Sequence, residues 1–60
     1  MVRWNYFNVA GYLVHFEEID VPKDLTLYQQ WHYTRGYLDA VAKNNPSLFA
    51  GKGVWKKEGV

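Results

Sequence analysis

A chain of 60 residues without a single cysteine must hold itself together by packing alone. A domain of this length buries only about 60% of the surface that its unfolded form exposes. The absence of cysteine excludes a disulfide framework and a thiolate zinc site. The two histidines, His15 and His32, are too isolated to suggest a structural metal, so neither a metal nor a cofactor is expected. The remaining source of core area is association, with a second copy or with another protein. Residues 1–60 are expected to form one domain.

Charge adds little to that choice. Seven Lys and Arg stand against six Asp and Glu, a formal net charge of +1, so nothing global demands a nucleic acid or a membrane. The signs are nevertheless segregated, with Glu17, Glu18, Asp20 and Asp24 in mid-chain and Lys52, Lys56 and Lys57 near the end. No apolar run approaches the roughly 18 residues of a membrane span. Met1 to Phe16 also lacks the basic-then-apolar order of a secretory leader. A soluble, cytoplasmic protein with no membrane partner is expected. Hydrophobic residues make up 48% of the chain and Gly and Pro are few, which favours a folded domain over a linker.

Val2 to Phe7 and Tyr12 to Glu18 are rich in β-branched and aromatic residues, and Gly11 lies where a hairpin loop needs positive φ. A three-residue loop, Val9-Ala10-Gly11, pairs Asn8 with Tyr12, Tyr6 with Val14 and Trp4 with Phe16 on one face. The other face then pairs Phe7 with Leu13, Asn5 with His15 and Arg3 with Glu17. A two-residue loop would set Trp4 against Glu17 and Asn5 against Phe16, mixing apolar with polar on both faces. The first register predicts an inner face of Trp4, Tyr6, Tyr12, Val14 and Phe16. Ile19 and Val21 fall out of phase with it, so the strand is expected to end or bulge near Glu18, before Pro22.

Thr26-Leu27-Tyr28-Gln29 fits a capping box, and Asn44-Asn45-Pro46 is a helix stop, which places a helix at about residues 26–44. At 100° per residue Leu27, Trp31, Thr34, Leu38 and Ala42 centre an apolar stripe, widened by Tyr33, Tyr37, Ala40 and Val41. Arg35 and Asp39 lie four apart on the polar side and can pair. Small residues at Ala50-Gly51-Lys52-Gly53 then lead to Val54–Glu58, a weakly alternating segment whose lysines suit an edge strand. The expected fold is α+β, a three-stranded antiparallel sheet in β-β-α-β order with one helix packed on one face.

Catalytic equipment is sparse. Ser47 is the only serine, and neither histidine lies in a recognisable catalytic setting, so no enzyme is expected. His15 and Glu17 project the same way from a strand, but a polar exposed face explains them better than a metal. Gly51-Lys52-Gly53 has phosphate-binding ingredients without the spacing of a phosphate loop.

The distinguishing feature is aromatic: three Trp, five Tyr and three Phe, more than a single small core accommodates. Trp4, Tyr6, Tyr12, Phe16 and Trp31 are assigned to the interior, with Phe49 closing one end. Phe7, Leu13, Tyr28, Tyr33, Tyr37 and Trp55 are then the candidates for a partner-binding patch. The expected function is non-catalytic protein interaction, in the manner of a phage-encoded (viral) inhibitor or small accessory subunit, with a homodimer through the helix flank of Tyr33, Tyr37 and Ala40 as one form and Phe7 and Leu13 as a second apolar spot. The alternative is a nucleotide or single-stranded nucleic acid, its bases stacked on these rings and its phosphates met by Arg35, Lys52, Lys56 and Lys57.

Overall fold

The structure, a computed structural model, describes residues 1–59. Strands β1 (Val2–Phe7) and β2 (Leu13–Ile19) form a hairpin, helix α1 (Leu27–Asn44) follows, and β3 (Val54–Lys57) returns to the sheet. The strand order is β2-β1-β3, antiparallel throughout, so β1 is central and both β2 and β3 are edges. The α+β architecture and the β-β-α-β order are those read from the sequence.

The hairpin loop is the one expected. Gly11 has φ 88°, its N–H donates to the Asn8 carbonyl (2.9 Å), and the Asn8 N–H donates to the Tyr12 carbonyl (2.9 Å). Phe7 also sits opposite Leu13. Beyond that pair the expectation fails: Tyr6 faces His15, Asn5 faces Phe16, Trp4 faces Glu17 and Arg3 faces Glu18. Val14 is the surplus residue of a bulge, and one surplus residue exchanges the faces of everything that follows. The bulge lies at the loop end of β2, not near Glu18.

Its consequence is a different inner face. His15, Glu17 and Ile19 now share a side with Val2, Trp4 and Tyr6, while Phe16 joins Arg3, Asn5 and Phe7 on the other. Ile19, which the unbulged register excluded, is the most buried side chain, at 1% exposure. Tyr12 (70% exposed), Val14 and Phe16 (46%), all assigned to the interior by the unbroken alternation, lie outside it. The Arg3 guanidinium covers the displaced Phe16 ring, 4.4 Å from its centroid.

Local chemistry sets the helix ends. The Gln29 N–H donates to Thr26 Oγ1 (3.2 Å) and the Thr26 N–H donates to Gln29 Oε1 (3.0 Å), completing the capping box. At the other end Asn45 Nδ2 donates to the Val41 carbonyl (2.9 Å), ahead of Pro46. The helix backbone approaches β2 alone. Its C-terminal half is the packed half, with Leu38 buried and Val41 and Ala42 half-buried. Tyr37 Oη donates to Glu17 Oε1 (3.2 Å), tying helix to strand.

The opposite end of the sheet closes with aromatic rings. Phe49 meets Tyr6 edge-on (centroids 4.5 Å apart) and stacks on Trp55 (5.5 Å), as the expected end-plug. Tyr6 Oη also fastens the returning loop, accepting from the Gly53 N–H (3.0 Å) and donating to the Gly51 carbonyl (3.4 Å). Among the described residues only Tyr6, Ile19 and Leu38 form the buried hydrophobic core.

Candidate functional site

Because α1 packs on the β2 edge and Phe49 covers only the Tyr6–Trp55 end, the sheet surface around Val2, Trp4 and Lys57 is left without a roof. The result is an open groove of ≈ 520 Å³ between the N-terminal half of the helix and the strands. Its floor comes from Val2 and Trp4 on β1 and from Trp55 and Lys57 on β3; its wall comes from Leu27, Trp31, Thr34, Arg35, Leu38 and Asp39 on α1. That volume falls within the range of ligand and side-chain pockets.

All three tryptophans therefore line one cleft. Trp31, assigned to the interior because it lies on the apolar stripe, is 55% exposed, and Leu27 is 83% exposed. Their stripe does face the sheet, but the helix overhangs the sheet there instead of touching it. Trp4 and Trp55 are half-buried in the floor.

The polar lining of the groove is Gln30, Thr34, Arg35, Asp39 and Lys57, two cations against one carboxylate. Arg35 Nε lies 4.0 Å from Asp39 Oδ2, the pairing expected at this spacing, and the guanidinium stands 5.4 Å from the centre of a Trp31 ring. Lys57 lies opposite Trp4 across the sheet. Among the described residues no carboxylate lies within 4.0 Å of the Lys57 ammonium. The cleft therefore offers flat apolar walls with one ion pair and one uncompensated cation.

The six candidate partner-binding residues fall on four surfaces. Trp55 lies in the groove floor. Phe7 and Leu13 are paired on the helix-free face of the sheet, where Lys56 Nζ sits 5.9 Å from the Phe7 ring centre and Val54 is also exposed. Tyr33 and Tyr37 are exposed on the helix flank, but Tyr37 already uses its hydroxyl on Glu17. Tyr28 is exposed beside His32, which separates it from Trp31 (ring centroids 4.4 and 5.1 Å from His32). Of the four cations of the nucleic-acid alternative, only Arg35 and Lys57 line the groove; Lys56 is on the opposite face and Lys52 is exposed in the loop before β3.

Two smaller motifs are accounted for by structure. His15 Nε2 lies 2.6 Å from Glu17 Oε2, and the other carboxylate oxygen takes the Tyr37 hydroxyl, so this cluster joins helix to sheet. That hydrogen bond, with the Glu17 charge beside it, raises the Tyr37 phenol above its ordinary value. No group of three or more His, Asp or Glu suited to a metal ion occurs among the described residues. The Gly53 N–H, which a phosphate cradle would need, is spent on Tyr6.

The residues that sequence reasoning missed are Val2, Trp4, Leu27 and Trp31. Trp4 and Trp31 are assigned to the core because they are large and apolar, Leu27 is read only as part of the helix stripe and Val2 only as a strand residue; the position of the helix on the sheet shows that all four border a cleft. No helix among the described residues is long and apolar enough to cross a membrane. Comparisons with protein-family models, with curated proteins and with solved structures return no match to this chain.

Proposed function

We propose that the chain is a small, non-catalytic, cytoplasmic protein-interaction module that inhibits or accompanies a larger protein, and that the tryptophan-lined groove is where the partner docks. The carrying observation is the groove itself: three indoles, Val2 and Leu27 border a cleft that the chain leaves uncovered. Tryptophan and arginine in a partly enclosed site are the usual anchors of protein interfaces. The helix-free sheet face, with Phe7, Leu13, Phe16 and Val54, is the surface on which two copies pair as a homodimer.

Solution mass by light scattering across a concentration series tests the second statement. A dimer that Phe7→Ser with Leu13→Ser returns to monomer is expected. A monomer at every concentration removes the homodimer. Trp31→Ser tests the first statement, because Trp31 is exposed and its loss leaves the fold intact. Partner capture that survives Trp31→Ser overturns the groove assignment.

The presence of Arg35 and Lys57 among three indoles favours one second reading, a nucleotide or single-stranded nucleic acid stacked in the same cleft. Co-purification of a 260 nm absorber, or salt-dependent binding of oligo(dT) that Lys57→Gln weakens, would select it over protein docking.

A further inference from the structure

The groove is bordered by an unpaired strand edge. β3 has β1 as its one neighbour in the sheet, and its outer side carries no backbone partner among the described residues. The direction of its free groups follows from one bond. Because the Glu58 N–H donates to the Arg3 carbonyl (2.9 Å), and antiparallel ladders alternate, Lys56 shares the inward orientation of Glu58. The N–H and C=O groups of Trp55 and Lys57 therefore point away from β1. The side chains of these same two residues line the groove.

Charge selects what can add there. Lys56 and Lys57 occupy half of a four-residue strand that contains no acid, one on each face of the sheet. Neither has a carboxylate within 4.0 Å among the described residues. Lysines on an edge ordinarily discourage pairing with another strand. Two β3 edges meeting each other would crowd both copies' Lys56 and Lys57 into one short seam, which disfavours self-pairing here. An acidic strand meets the opposite condition.

We infer that the β3 edge accepts an extended acidic segment of a partner protein by strand addition, with Trp55 and Lys57 presenting both the hydrogen-bonding edge and the groove side chains. This rests on the protein-docking reading of the groove and names the chemistry of its occupant. Register makes the segment specific. Residues of the incoming strand beside Val54 and Trp55 face apolar surface on the two sides of the sheet, and those beside Lys56 and Lys57 face cations. The recognised pattern is two adjacent apolar residues next to two adjacent acidic ones. Adding this strand widens the sheet to four strands.

The test is selection from a displayed library of short, unconstrained peptides, followed by binding measurements on synthetic copies of the selected sequences. Selected peptides are expected to pair two apolar with two acidic residues, and to lose affinity on Lys57→Gln. Lys57→Pro removes an outward N–H without touching the β1 ladder, and is expected to weaken binding a further five- to tenfold or so, the scale of one backbone hydrogen bond. In the unmodified chain, amide exchange at Trp55 and Lys57 should slow on binding while Lys56 and Glu58 stay unchanged. Selection of no peptides, selection of basic ones, or unaltered exchange at Trp55 and Lys57 overturns the inference. Slowed exchange that persists in Trp31→Ser at full affinity supports the edge while removing the groove reading, which separates the two failures.

Discussion

At position 53 a side chain has nowhere to go. A Cβ there would collide with the Phe7 carbonyl oxygen and lie 2.5 Å from Cζ and Oη of Tyr6, the ring that anchors the core and the loop. Gly53→Ala should therefore destabilise the fold by about 1–3 kcal/mol, measured as a lower urea midpoint, because the clash involves backbone and a packed ring. Tyr37 offers a second residue-scale prediction. Its phenol is raised by the hydrogen bond to Glu17 and by the neighbouring carboxylate charge, so the folded state holds this proton more tightly than the unfolded chain. The resulting stability is complete below the unfolded value near 10 and is lost as pH rises through the folded one. Tyr37→Phe should remove a late-titrating component from the tyrosinate absorbance and flatten the decline of stability above pH about 10. A Tyr37→Phe titration that leaves the late component in place would assign it elsewhere.

The elements differ in how openly the sequence announced them. Thr26 and Gln29 carry the helix start in their own chemistry, and Thr26→Ala should cost about 1 kcal/mol in urea unfolding. The hairpin loop was equally legible, because Gly11 has a local conformational reason to be where it is. The register was not. Period-two reasoning assumes an uninterrupted ladder, and placing Tyr6 opposite Val14 gave the tidier segregation of apolar from polar residues. The structure instead spends Val14 on a bulge, and thereby places Ile19 in the core, His15 beside Phe49, and Glu17 within reach of Tyr37. Those gains are all tertiary, made with helix or loop residues far along the chain, so no local pattern in β2 displays them. The groove was hidden for the same reason: the stripe of Leu27, Trp31 and Leu38 is visible in sequence, but not how far the helix carries it past the sheet.

At the scale of the whole molecule the chain is loosely filled. It exposes 4773 Å², against about 4,100 Å² for a compact monomer of its 7.1 kDa mass. Its radius of gyration is 12.0 Å where about 10 Å is usual, and its extents of 36 × 24 × 15 Å describe a slab. The excess area is close to what each partner contributes to a standard interface, about 800 Å². With three buried hydrophobic side chains among the described residues, and Tyr12, Leu27, Tyr28 and Trp31 each more than half exposed, much apolar surface is left for association. The thermal midpoint should accordingly rise with protein concentration, since pairing stabilises by mass action. A midpoint independent of concentration would mean that the chain reaches its stability without a second copy.

The gathering of Trp4, Trp31 and Trp55 along one cleft has a practical corollary. Near-ultraviolet emission from this protein has no indole source outside that region, so its colour is a gauge of how wet the cleft is. A molecule that displaced water there would shift the emission toward the blue, and one that settled on the far face of the sheet would leave it nearly unchanged. The chain thus carries, without any label, a signal that distinguishes the groove from the helix-free face of the sheet.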